Sequence, residues 1–244
     1  MTLPDIRTSP QLYARIGGAL YLVIIVAGIF GEAFVRNGLI VTGDAAATAH
    51  NIMSSEFLWR IGIAGDLFMH VCDVPLVLIL YLLLKPVDRN LSLLYMIFVL
   101  VQSSVLVASK LSLLTPLFVL GDAAYLKAFN PEQLQALAYL AIRSDSYGFG
   151  VGLIFFGFAL LALGYLILKS GYLPKIIGVL IQIAGVCYLI NSFALILSPA
   201  LAGTLFPYIL IPCFLGESAL CLWMLIKGVN LPRWRERAVA LAGS

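Results

Sequence analysis

Asp66, His70 and Asp73 follow one another at spacings of four and three within Phe57 to Leu84, FLWRIGIAGDLFMHVCDVPLVLILYLLL. At 100° per residue these three side chains share one helical face. The stretch is otherwise apolar and long enough to cross a bilayer. An ionised side chain at the centre of hydrocarbon costs about 2.5–3.5 kcal/mol on insertion scales, so the stripe must face protein or water. Lys110, Asn191 and Glu217 are further polar residues in apolar segments, and Cys213 and Cys221 flank Glu217 at i−4 and i+4. Groups of this kind can relay protons, bind a cation, or pair with each other to fix helix packing.

Hydrolytic chemistry fits less well. The chain has only 2 histidines, which excludes a three-histidine zinc site. It has no Gly-x-Ser-x-Gly, His-Glu-x-x-His or P-loop pattern. Ser103 and Ser104 precede Lys110 at offsets that do not make a Ser-Lys dyad. A metal site would have to draw on Asp66, His70, Asp73 and Glu217, an oxygen-rich set with one nitrogen donor, and the pattern implies no resident metal and names no cofactor. Asp66 with Lys110, and Glu32 with Arg60, are the ion pairs expected if the charges serve only packing. Asp66, Asp73 and Glu217 nevertheless outnumber the bases at their depth, so at least one carboxylate is expected to be protonated, hydrated or bound to a cation.

The elements that must position these residues are spans. Of 244 residues, 62% are hydrophobic and 11% charged, with a mean hydropathy of +1.04. Soluble domains carry roughly 25% charge, so composition alone implies an integral membrane protein. The expected architecture is one all-α membrane domain over residues 1–244. Its spans are expected at about 16–34, 57–84, 91–120, 145–168, 176–197 and 205–226, with short amphipathic helices on the outer side. The first span reads as an uncleaved anchor. The 4 cysteines all lie in apolar segments without Cys-x-x-Cys spacing and read as small packing residues.

Local signals refine this outline. Gly43-Asp44 can cap a short helix over AAATAHNIMSSE, and Asn130-Pro131-Glu132-Gln133 forms a capping box. Pro75 removes a donor for the carbonyl of Val71, which predicts a kink near Asp73. The run after Pro131 is too long for one span. It reads as an amphipathic segment to about Arg143, a break around Ser144-Asp145-Ser146 and then a span, with one continuous helix as the alternative. Gly148-x-x-x-Gly152 and Gly157 supply a small-residue face.

Lys and Arg set the orientation. Arg7, Arg15, Lys85, Arg89, Lys169, Lys175, Lys227, Arg233, Arg235 and Arg237 fall on one side, against Arg36, Lys127 and Arg143 on the other. The positive-inside rule then puts both termini in the cytoplasm. The net charge of +3 describes a rim drawn to anionic lipid rather than a nucleic-acid site. In that orientation Glu32, Arg60 and Asp145 lie near the outer interface. Asp66, Lys110 and Asn191 fall in the outer third, with His70, Asp73 and Glu217 about the midplane. This asymmetry predicts a polar cavity open to the outer side.

Nearly the whole chain resembles one family. The segments ARIGGALYLVIIVAGIFGEAFVR, GDLFMHVCDVPLVLILYLLLKPV, KPVDRNLSLLYMIFVLVQSSVL, FNPEQLQALAYL and YGFGVGLIFFGFALLALGYLILKSGYLPKIIGVLIQIAGVCYLINSFALIL are similar to a bacterial membrane family catalogued as domain of unknown function 4386. The resemblance implies a six-helix protein of the bacterial inner membrane and brings no activity or catalytic residue. It places Asp66, Asp73 and Glu217 in segments typical of the family, and makes His70 and Lys110 atypical.

The reading that results is a binding or transport protein for a small polar or cationic ligand. The ligand or proton site would be lined by Asp66, Asp73 and Glu217, with His70, Lys110 and Asn191 near it. A membrane enzyme acting on a lipid-like substrate and a structural or regulatory subunit are the alternatives. The bilayer is the one partner implied outright, and an oligomer is compatible with it. The halves of the chain show no convincing internal repeat, which counts against a transporter.

Overall fold

The computed structural model describes residue 6 and residues 9–242; Arg7, counted above among the basic residues, lies outside them. All regular structure among the described residues is helical. Six helices are long and apolar enough to cross a membrane: Pro10–Leu39, Glu56–Leu84, Arg89–Val119, Pro131–Ser170, Lys175–Leu197 and Tyr208–Ile226. In detail the elements are α1 (Pro10–Ile29), a π-helix (Phe30–Arg36), α2 (Asn37–Leu39), α3 (Ala45–Ser54), α4 (Glu56–Leu84), α5 (Arg89–Ser109), α6 (Leu111–Val119), α7 (Pro131–Ser170), α8 (Lys175–Leu197), α9 (Pro199–Leu205), α10 (Ile211–Ile226) and α11 (Leu231–Ala242). By compactness the chain divides into two units. The first is Met1–Val23, Cys72–Ser103 and Gly150–Ser244, and the second Ile24–Val71 and Ser104–Phe149.

The helix starts follow their side chains. Asp44 accepts from the amide of Ala47 at 2.9 Å and caps α3. Asn130 and Gln133 bond each other's amides at 2.8 and 3.0 Å, the reciprocal box expected at the start of α7.

The expected break at Ser144-Asp145-Ser146 is absent: α7 runs unbroken for 40 residues. At 1.5 Å per residue it is about 60 Å long, twice a hydrocarbon core. Side chains that could have competed for the backbone are used within the helix or elsewhere. Ser144 and Ser146 donate to the carbonyls of Leu140 and Ile142, one turn back, at 3.0 and 3.3 Å. Asp145 turns to a neighbouring helix, as described below. Conversely, the span expected over 91–120 is interrupted at Lys110, between α5 and α6. There Leu113 donates to the Lys110 carbonyl at 3.0 Å, a tightened turn. Helix α4 continues through Pro75.

Glycines set where the helices of the first unit cross. A Cβ on Gly18 of α1 would lie 2.5 Å from the amide nitrogen of Leu225 in α10. One on Gly216 of α10 would lie 2.8 Å from the Leu180 carbonyl of α8. Gly157 and Gly164 of α7 face the carbonyls of Gly185 and Gly178 of α8 in the same way, at 3.0 and 2.7 Å. Such approaches are open only to residues without a side chain. In the second unit, Val35, Ile52, Trp59, Ile63, Leu113 and Ile142 form a buried core, and the Trp59 indole donates to the Leu113 carbonyl at 2.8 Å.

Candidate functional site

The carboxylates singled out by the sequence fall into two sets. In the second unit, Asp66 is 1% exposed and accepts both arms of the Arg36 guanidinium, at 2.6 and 3.3 Å. Its second cation is Lys110, 3.7 Å away. The nearer partner of Lys110 is Asp145, with Nζ 3.1 and 3.2 Å from the two carboxylate oxygens. Ser109 donates to the same carboxylate at 3.0 Å. Asp66, Lys110 and Asp145 are all buried, and Arg36 is largely so, while the Glu32 carboxylate that Arg36 also holds at 2.6 Å is exposed. Two buried cations therefore face two buried carboxylates. Pairing of this quality is what allows charges to persist away from water.

Backbone irregularity builds this network. A π-helix carries Arg36, and the break after α5 carries Lys110. Gly31 leaves the room: a Cβ there would lie 2.5 Å from Asp66 Oδ1 and 3.1 Å from Arg36 Nη2. Gly148 does the same for Asp145, since its Cβ would lie 2.6 Å from that of Ser109.

One expected ion pair needs correction. Glu32 does not pair with Arg60: Glu32 pairs with Arg36, and Arg60 with Glu56 at 2.6 Å, each one turn apart on its own helix. An i,i+4 partner is already in reach, whereas the cross-helix pair would need two long side chains to be oriented together. Asp66 does meet Lys110, as expected, but as the longer of two contacts. Arg36 and Asp145 were missed as members of this set. Their signals were the Glu32/Arg36 spacing and Gly148 one turn after Asp145.

The first unit holds Glu217. Tyr21 of α1 donates to its Oε2 at 3.0 Å, and Tyr188 of α8 to its Oε1 at 2.6 Å. Among the described residues no Lys, Arg or His bonds this carboxylate. The cysteines one turn to either side mark the same two neighbours. The Cys213 thiol donates to the Ala184 carbonyl of α8 at 3.5 Å, and the Cys221 thiol to the Gly18 carbonyl of α1 at 3.4 Å. A single face of α10 thus reads Cys, Glu, Cys. Its thiols rest on backbone, and its carboxylate takes two phenols. Asp73 of α4 accepts from Ser103 of α5 at 3.0 Å. The buried Tyr95 lies within electrostatic reach of both Asp73 and Glu217.

His70 is buried in α4, and Asn191 is half-buried in α8. Among the described residues no three His, Cys, Asp or Glu side chains gather as a metal ion would require. A groove of about 530 Å³ runs along Leu120, Asp122, Lys127, Phe129 and Gln135, and none of the expected site residues lines it.

The two sets differ in what they can do. The Arg36–Asp66–Lys110–Asp145 set is internally neutral and complete. The Glu217 set offers a carboxylate and oriented hydroxyls among apolar spans, and among the described residues no Lys, Arg or His bonds Glu217 itself. That arrangement can hold a proton or a small cation.

A family model described as domain of unknown function (DUF4386) matches residues 16–228, most of the chain. No curated protein and no solved structure matches.

Proposed function

The chain belongs to the DUF4386 family, a domain of unknown function, and we propose that it binds a small polar or cationic ligand at Glu217 and Asp73. The observation that carries this reading is the clasp on Glu217, made by hydroxyls from two other spans with no Lys, Arg or His bonded to it among the described residues. A carboxylate in hydrocarbon needs a proton or a cation to offset its charge. Two phenols that already fix its oxygens leave that role to something that can come and go. Asp73, with Ser103, extends the polar lining. Movement of the ligand across the bilayer, exchanged against a proton at Glu217, is the function that uses these features together. The lysine and arginine distribution supports cytoplasmic termini, and the family resemblance implies a bacterial inner membrane. Asp66 and Lys110, first grouped with the binding residues, belong in this reading to the scaffold, because each is matched within its own unit.

The test is uptake of labelled, permanently charged ammonium ions of graded size into proteoliposomes under an imposed pH gradient. Wild-type protein is expected to exceed empty liposomes for at least one size, and Glu217→Gln to fall to the empty level. Equal uptake by wild type and Glu217→Gln overturns the assignment of the site. Uptake at the empty level across the whole series overturns the transport reading.

A further inference from the structure

We propose that Cys187 of α8 and Cys213 of α10 are a redox-active pair whose disulfide staples these two spans beside Glu217. Both are free thiols. The Cys213 thiol sits 3.5 Å from the Ala184 carbonyl, and Cys187 is three residues on, on the same turn of α8. The two thiols lie within electrostatic reach of each other. The backbones are close at this level, because Gly216, one turn after Cys213, would bring a Cβ to 2.8 Å from the Leu180 carbonyl and 3.5 Å from the Ala184 Cβ. Bridged cysteines have Cα atoms within about 7 Å, and a glycine-mediated crossing is where membrane helices approach so nearly. The other cysteines are placed differently. Cys221 is directed to Gly18 of α1, and Cys72 lies on α4.

The chemistry needs a small oxidant that enters an apolar region, and hydrogen peroxide is of that class. One thiol gives up its proton and its thiolate attacks an oxygen of the peroxide, giving a sulfenic acid and hydroxide, which takes up that proton as water. The second thiolate displaces hydroxide from that sulfur, forming the S–S bond. In total both S–H bonds are lost, the two sulfurs are oxidised by two electrons and the peroxide is reduced to two waters. A dithiol reductant reverses the step. Tyr188 is adjacent to Cys187 in the chain and donates to Glu217, so the bridge would hold α8 to α10 at the point where that bond forms.

The experiment uses the full chain in detergent micelles, treated with hydrogen peroxide, then unfolded and alkylated with a maleimide. Oxidised protein is expected to lose two of its 4 alkylatable thiols, with a Cys187–Cys213 cross-linked peptide, and to regain them after a dithiol. Cys187→Ser and Cys213→Ser should each abolish the cross-link. A Cys72→Ser/Cys221→Ser double variant should retain it and lighten by two hydrogens on oxidation. Retention of all thiols at peroxide doses that oxidise a free model thiol, or bridging of any other pair, overturns the proposal.

Discussion

The Lys110 ammonium lies 3.1 Å from Asp145 Oδ1 and 3.7 Å from Asp66 Oδ2, so its main counterion comes from α7 and its lesser one from α4. Asp66 has a bidentate arginine of its own, whereas among the described residues Asp145 pairs with Lys110 alone. The two carboxylates are therefore unequal in what they do for the lysine. Asp145→Asn leaves the buried ammonium with only its longer contact to Asp66, already held by Arg36, and removing one partner of a buried pair costs about 3–5 kcal/mol. A large fall in the thermal midpoint in detergent is expected. Lys110→Met combined with Asp145→Asn should recover much of the loss, because nothing charged is then left alone. A double variant as unstable as the single one would show that the pair is not the source of the effect.

Gly31 gives a second handle on the same network. Alanine there puts a methyl group 2.5 Å from Asp66 Oδ1, so either the carboxylate or the π-helix has to shift. Overpacking of this kind costs about 1–3 kcal/mol. Gly38, a few residues on in α2, has nothing within 4 Å of its would-be Cβ. Gly31→Ala is expected to lower the unfolding midpoint and Gly38→Ala to leave it in place or raise it. Equal effects would mean that close approach to Asp66 is not what fixes glycine at 31.

Span number was legible because burial in lipid leaves a compositional trace that needs no tertiary information. The start of α7 was legible too, since Asn130 and Gln133 bond within three residues of each other. Partner choice among the charges was not. It depends on helix rotation, and here the rotation comes from a π-helix before Arg36 and from a helix that declines to break at Asp145. Tyr21 and Tyr188 were invisible as site residues, because a tyrosine in an apolar run reads as packing. Only Gly17-Gly18 before Tyr21 and Gly216 beside Glu217 hint that those helices come close.

The start of α7 predicts a local effect. Asn130→Ala removes the acceptor for the Gln133 amide and leaves one orphan donor in the first turn, at a cost of about 1 kcal/mol. Hydrogen exchange should quicken at residues 131–134 and stay unchanged near Asp145, deep in the same helix. Acceleration along all of α7 would mean that the helix is far less independent of its cap than this bonding implies.

The clasp on Glu217 makes its own prediction, in which length ranks the two phenols. The Tyr188 bond, at 2.6 Å, is shorter than the Tyr21 bond, at 3.0 Å, and charge-assisted hydrogen bonds strengthen as they shorten. A bond to a charged group contributes about 1.5–3 kcal/mol, equivalent to roughly tenfold to a hundredfold in an equilibrium constant. Tyr188→Phe should weaken ammonium-ion uptake in proteoliposomes by at least about tenfold. Tyr21→Phe should do so by less, and Glu217→Gln should abolish it. The double tyrosine variant should approach the Glu217→Gln level, because each phenol acts only through that carboxylate. If both tyrosine variants keep wild-type uptake while Glu217→Gln is inactive, the hydroxyls serve packing, and the ligand meets Glu217 by a route that bypasses them.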